Sequence, residues 1–189
     1  SEIRSNLPTG YTMDLDGEVS VMRSSFANLG LGLFLALLFA YLIVVPLFRS
    51  FRQPIGMLIA FPPALAGVVG LLYITGTPLS IQALMGSIMV VGITVSYGNL
   101  MVDRINTLRA EGMPLEEALT EGSRQRLRPI IMTALTTVLG LLPTAIGLGG
   151  SSINEPLALA VIGGTSMAAL LTLFVVPVGY RFFSKPELN

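Results

Sequence analysis

The sequence predicts an all-α integral membrane domain with five transmembrane helices. Of its 189 residues, 52% are hydrophobic and only 12% are charged, whereas an ordinary soluble domain is about 25% charged. The mean hydropathy is +0.76. Five apolar runs are long enough to cross a bilayer, which takes about 20 residues each. These observations predict a bundle of helices embedded in lipid.

The composition also excludes several classes of function. The sequence contains no His and no Cys, so the usual general base, the usual metal ligands and all thiol chemistry are missing. We therefore expect neither an enzyme, nor a metal site, nor a bound cofactor. The formal net charge is zero, so no overall positive field favours nucleic acid.

The five predicted spans follow from the positions of the apolar runs. In chain order they cover residues 26–47, 55–75, 81–102, 130–148 and 157–183. Pro62 and Pro63 lie inside the second span and predict a kink there, because proline removes a backbone donor. The first 20 residues are polar, and Ser1 is not Met, which favours a piece cut from a longer polypeptide, with post-translational processing as the alternative.

The distribution of Lys and Arg predicts the orientation in the membrane. Nine of the 11 basic residues fall on one side of the predicted spans, namely Arg49, Arg52, Arg104, Arg109, Arg124, Arg126, Arg128, Arg181 and Lys185. Only Arg4 and Arg23 fall on the other side. Loops rich in Lys and Arg stay in the cytoplasm. The N-terminus is therefore predicted outside and the C-terminus inside.

A short helix is predicted between the third and fourth spans. Pro114 precedes Glu116 and Glu117, and proline followed by acids is typical of a helix start. The apolar residues Leu115, Ala118 and Leu119 form one stripe. We expect this helix to lie on the cytoplasmic membrane surface.

The third and fourth spans carry matching polar faces. Residues on the third span are spaced i, i+4, i+7 and i+11, so they share one helix face: Gly92, Ser96, Asn99 and Asp103. The fourth span offers a similar face with Thr133, Thr137, Gly140 and Thr144. Small residues and hydroxyls allow close helix packing, so we expect the two faces to meet in a seam. Intramembrane polar groups also suggest a proton or ion path. Both readings, packing and relay, stay open.

Several ordered motifs resemble resistance–nodulation–division (RND) efflux transporters. The most extensive match runs from Gly112-Met113-Pro114 through Arg126-Leu127-Arg128-Pro129 to Thr133, and continues into Leu139-Gly140-Leu141-Leu142-Pro143. The turn Phe48-Arg49-Ser50-Phe51 and the segments around Pro62, Thr77 and Pro177 also match. The resemblance covers nearly the whole chain.

The resemblance implies the last five helices of a six-helix C-terminal half, with residues 1–22 ending a periplasmic porter region and residues 23–189 forming the transmembrane domain. It implies proton-driven antiport that exports hydrophobic or amphiphilic compounds, or metal ions, across a bacterial inner membrane. The implied partners are lipid, the N-terminal half and porter domain of the same protein, two further copies in a homotrimer, a periplasmic adaptor and an outer-membrane channel.

The family's relay pairs acids of the N-terminal half with groups on this half. Ser96 aligns where some drug exporters carry a lysine, and Thr133 matches the family threonine after Arg-Pro. The relay candidates are therefore Ser96, Asn99, Asp103 and Thr133, with Gly92, Thr137 and Gly140 as the packing seam. Two other interpretations stay open. One is a Sec-type protein-translocation accessory subunit, which shares the fold. The other is a membrane scaffold subunit without transport of its own.

Overall fold

The computed structural model describes residues 18–48, 59–148 and 152–183, and five long helices account for most of them. We name these helices α1 to α5: Glu18–Phe48, Phe61–Thr75, Ile81–Ala110, Leu115–Ala145 and Glu155–Phe183. A short 3₁₀ helix, Ser152–Asn154, precedes α5. The described residues contain no strand. The predicted all-α fold is confirmed.

Four helices contain apolar segments long enough to cross a membrane: Arg23–Pro46, Ile81–Ala110, Leu115–Ala145 and Glu155–Arg181. The described part of α2 has 15 residues, and the start predicted for its span, residue 55, lies outside the described residues. Pro62 and Pro63 lie in the first turn of α2. The predicted kink inside the helix is therefore absent from the described part, because backbone N–H groups in a first turn need no intrahelical acceptor.

The predicted surface helix is not a separate element. It begins at Leu115, as the sequence indicates, but it continues through Pro129 into the fourth span as one helix of 31 residues. Gly112, with φ of +91°, makes the turn that precedes it, a conformation that favours glycine. The third span likewise continues as helix past residue 102, to Ala110. Two helices therefore extend beyond the apolar runs that identified them.

Helix α5 is the centre of the bundle, and α2, α3 and α4 all pack against it. Close approach depends on glycine: a Cβ added to Gly67 of α2 would lie 2.5 Å from the carbonyl oxygen of Gly163, and would also collide with Met167. A Cβ added to Gly86 of α3 would lie 2.8 Å from the Cβ of Ala160. Small residues let these backbones approach, as is common between transmembrane helices.

Three contacts fix the register of α3 against α5. Gly86 faces Ala160, Val90 faces Gly164, and the hydroxyl of Tyr180 donates a hydrogen bond of 2.6 Å to Oδ1 of Asn106. In each pair the two residue numbers differ by 74. The two helices therefore run parallel and in register. Helix α1 contacts mainly α3 and leaves most of its apolar surface exposed for lipid or further protein.

Candidate functional site

The polar face predicted on α3 is present and open. Gly92, Ser96 and Asp103 are exposed, and Asn99 is half-buried. A Cβ added to Gly92 would meet nothing within 4 Å among the described residues. Oδ1 of Asn99 is buried without a hydrogen-bond partner in the described part of the chain. The four side chains thus lie on one side of α3, with most of that side uncovered.

The polar face predicted on α4 is also largely uncovered. The hydroxyl of Thr133 donates to the carbonyl oxygen of Pro129 at 3.0 Å, and Thr137 donates to that of Thr133 at 2.9 Å. Both donors are therefore used within the helix, so each oxygen offers only lone pairs to a neighbour. Gly140 is exposed, and a Cβ there would meet nothing within 4 Å in the described residues.

The predicted seam between these two faces is not formed within the described chain. Helices α3 and α4 pack elsewhere: a Cβ added to Gly122 would lie 2.9 Å from Ile105, and Nε of Arg104 donates to Oε1 of Gln125 at 2.5 Å. The packing role of Gly92, Thr137 and Gly140 therefore stays a prediction, and among the described residues nothing lies within 4 Å of a Cβ added to Gly92 or Gly140. Helix α5 packs against both helices and covers their more apolar sides, which leaves the polar sides facing outward.

An uncovered polar face has a consequence in a membrane. Ser96 and Asn99 lie inside the predicted third span and cannot face lipid cheaply, because hydrocarbon does not solvate hydroxyl or amide groups. Asp103 directly follows the end of that span. Within the described residues the face has no protein cover. It therefore requires a polar partner, either other protein or water.

Sequence reasoning missed a half-buried arginine with one enclosed nitrogen. Arg126 lies in α4, and its Nε is buried without a hydrogen-bond partner among the described residues. In the sequence it is one of several arginines in the segment before the fourth span, so nothing distinguishes it from an exposed neighbour. Arginine stays protonated in proteins. A buried guanidinium nitrogen near a membrane span is therefore a candidate functional group.

Three buried hydroxyls also lack partners in the described part of the chain, on Tyr97, Thr165 and Thr172. The register of α3 against α5 places Gly98 level with Thr172, so the Tyr97 and Thr172 hydroxyls belong to neighbouring layers of the bundle. No group of three Asp or Glu side chains that could hold a metal ion occurs in the described residues.

Comparison with known proteins places this arrangement among membrane transporters. Residues 1–184 match the model of the AcrB/AcrD/AcrF family. The chain is 38% identical over 182 residues to the cobalt-zinc-cadmium resistance protein CzcA of Cupriavidus metallidurans, covering 96% of this chain and 17% of the relative. It is 36% identical over 180 residues to the swarming motility protein SwrC of Bacillus subtilis, covering 94% of this chain and 17% of the relative.

Other relatives and solved structures agree. The multidrug resistance protein MdtC of Erwinia amylovora is 32% identical over 187 residues, which is 98% of this chain and 18% of that protein. A crystal structure of a heavy metal efflux pump superposes with a TM-score of 0.77 at 28% identity, covering 96% of this chain and 18% of the pump. The chain thus spans less than a fifth of the length of these proteins.

Proposed function

Because the chain belongs to the AcrB/AcrD/AcrF family of RND transporters, we propose that it forms part of a proton-driven efflux transporter of the inner membrane. The relatives named for cobalt, zinc and cadmium resistance and for multidrug resistance support this proposal. They do not favour a Sec-type accessory subunit or a scaffold. The exported compound would be either hydrophobic or amphiphilic, or a metal ion.

The observation that carries the proposal is the uncovered polar face on α3. A face with Ser96 and Asn99 inside the predicted span and Asp103 at its end needs a polar partner, and proton antiport needs polar groups within the membrane. We propose that this face docks on the N-terminal half of the longer protein, which would supply the relay acids. Thr133 would contribute an acceptor from α4, because its own proton is held by Pro129.

The remaining partners belong to the longer protein. We propose a homotrimer that works with a periplasmic adaptor and an outer-membrane channel, as the family resemblance implies. Residues 1–22 would end the porter region, and residues 23–189 would form the transmembrane domain. The N-terminus would lie in the periplasm and the C-terminus in the cytoplasm, as the distribution of Lys and Arg favours.

The relay role is tested by Asp103→Asn and Thr133→Ala in the full-length transporter. A hydrogen bond between transmembrane helices contributes about 0.6 kcal/mol on average. If these residues have only a structural role, each variant should therefore be expressed and assembled almost as well as the wild type. A relay role predicts at least about tenfold slower proton-coupled efflux, which corresponds to roughly 1.4 kcal/mol on the barrier. Efflux is measured in liposomes beside expression and trimer yield.

The chain offers a matched control for each variant. Thr136 is exposed on α4 and donates to the carbonyl oxygen of Met132 at 2.8 Å, so Thr136→Ala repeats the chemistry of Thr133→Ala outside the proposed relay. Glu117→Gln removes an exposed acid at the start of α4. Both controls should transport normally. Normal efflux in Asp103→Asn and Thr133→Ala as well would mean that these residues have a structural role and no role in the proton relay.

A further inference from the structure

A groove with a volume of about 290 Å³ separates the first turns of α4 from the last turns of α5. One end carries an ion pair, in which Nη2 of Arg181 lies 3.0 Å from Oε1 of Glu116. Both side chains of the pair are about two-thirds exposed. Towards the other end, the α5 wall is apolar and consists of Leu173, Phe174, Pro177 and Val178. The groove is therefore charged at the helix ends and apolar beside them.

The apolar side of the groove extends along the outer surface of α5. A second hollow of about 360 Å³ adjoins it and shares Phe174 and Val178. Both of these side chains are exposed, and so is Leu170. Residues four apart lie one above the other on a helix. Val178, Phe174 and Leu170 thus form an apolar ridge that leads from the charged end toward the middle of the helix.

The polar lining is rich in hydrogen-bond acceptors. Thr120 donates its hydroxyl proton to the carbonyl oxygen of Glu116 at 3.0 Å, and Ser123 donates to that of Leu119 at 2.7 Å. Their oxygens are left with lone pairs only. Pro177 has no N–H, so the carbonyl oxygen of Leu173 lacks its intrahelical donor. With the Glu116 carboxylate these groups form an acceptor set beside Arg181, the one cation among the described lining residues.

We propose that this groove is a binding site for phosphatidylethanolamine. The lipid phosphate binds Arg181, and the primary ammonium binds Glu116 and the neighbouring hydroxyl oxygens. One acyl chain lies along the ridge of Leu170, Phe174 and Val178. The ion pair opens to receive the headgroup, and this opening costs little because exposed ion pairs contribute little to stability. The proposal requires only that α4 and α5 span a membrane.

The chemistry of the lining distinguishes this lipid from the other common phospholipids. An ammonium group has three N–H donors for the acceptor set, whereas the quaternary nitrogen of phosphatidylcholine has none. Phosphatidylglycerol carries a phosphate but no cation, so its charge is repelled by Glu116. The positive charge of a primary ammonium and its three N–H donors therefore both favour phosphatidylethanolamine over the other two lipids.

The test is lipid binding to the full-length transporter, delipidated in detergent and titrated by native mass spectrometry with phosphatidylethanolamine, phosphatidylcholine or phosphatidylglycerol. The wild type should bind phosphatidylethanolamine at least tenfold more tightly than phosphatidylcholine. Arg181→Ala should remove this tight binding. Glu116→Gln should lower the affinity for phosphatidylethanolamine to that for phosphatidylcholine. The same variant should leave the affinity for phosphatidylglycerol unchanged or raise it. Arg181→Lys, which keeps the cation, should retain most of the binding.

A second ion pair on α4 provides the control. Nη1 of Arg124 lies 3.9 Å from Oε2 of Glu121, and neither residue lines the groove. Arg124→Ala and Glu121→Gln should leave binding unchanged. Equal affinity for all three lipids, or variants of Glu116 and Arg181 that bind like the wild type, would overturn the proposal. Tighter binding of phosphatidylglycerol than of phosphatidylethanolamine would also overturn it, because that result indicates a simple basic site. Gel filtration verifies that each variant is folded.

Discussion

At the scale of single residues, the buried threonines of the bundle differ in whether their hydroxyl groups make a hydrogen bond. Thr94 is 1% exposed and donates its hydroxyl to the carbonyl oxygen of Val90 at 2.8 Å. Thr165 is fully buried, and its hydroxyl has no partner in the described part of the chain. A buried hydroxyl without a hydrogen bond costs about 1–3 kcal/mol by mutational measures. The two threonines therefore make opposite contributions to stability.

This difference predicts the sign of two substitutions. Thr165→Val should raise the free energy of unfolding by about 1 kcal/mol. The reason is that it removes a hydroxyl that is buried away from water and makes no hydrogen bond in the described part of the chain. Thr94→Val should lower this free energy by about 0.5–1.5 kcal/mol, because a hydrogen bond is lost. Unfolding in mixed micelles, followed by circular dichroism, measures both. A clear loss of stability in Thr165→Val would contradict the assignment and indicate a bound water at that hydroxyl.

Residue-level reasoning from the sequence identified the exposed candidates and missed Arg126. Ser96, Asn99 and Asp103 can be found because their spacing puts them on one helix face. Arg126 has no such pattern. The residue is half-buried and its Nε is enclosed, and the local residue types do not encode this environment.

At the scale of helices, α2 and α5 approach each other closely at Gly67 and Gly163. The carbonyl oxygen of Gly67 would lie 2.5 Å from a Cβ on Gly163, and the reverse distance has the same value. No side chain fits between these backbones. Gly70, one turn away on α2, has no atom within 4 Å of its would-be Cβ. The two α2 glycines therefore have different roles despite their similar sequence context.

We expect Gly163→Ala to destabilise the bundle by about 1–3 kcal/mol, the range for overpacking a tight contact. Gly70→Ala should be neutral or stabilising by up to about 1 kcal/mol, because alanine favours the helix and meets no neighbour. Resistance of the two variants to unfolding in sodium dodecyl sulfate compares them directly. Equal stability would mean that α2 and α5 are not in close contact in the membrane.

The helix that the sequence divides in two is continuous in the structure. A polar, charged segment followed by Pro129 resembles a surface helix that stops before a span. In α4, however, the helix continues past the proline, since one missing hydrogen bond costs less than breaking the packing of a long helix against α3 and α5. Ala118 and Leu119 are buried, so the first turns pack on the bundle rather than lie on lipid alone.

At the scale of the whole molecule, the orientation in the membrane is the open prediction. This chain has no Cys, so a cysteine introduced into it is its single thiol once any cysteines in the rest of the full-length protein have been replaced. Ser152→Cys in the full-length protein should react with an impermeant maleimide added to intact spheroplasts, and Glu117→Cys should react only after permeabilisation. Labelling of Glu117→Cys from outside would reverse the predicted topology.

The sequence by itself determined the all-α membrane class, the approximate positions of the spans and the family. These features depend on the lengths of the apolar runs and on the order of short motifs along the chain. Both are properties of contiguous residues. The polar face on α3 was also readable, because helical periodicity alone assigns residues to a face. None of these inferences requires knowledge of which helix lies beside which.

Only the tertiary structure decided the neighbours. The polar faces of α3 and α4 look complementary in sequence, yet α3 turns Gly86 and Val90 towards α5 instead. The small residues Ala160, Gly163 and Gly164 let two helices, α2 and α3, approach α5 closely. The free energy of packing depends on how the faces of all the helices in the bundle fit together. The pairing that leaves Ser96 and Asp103 uncovered is therefore a property of the bundle and not of either helix.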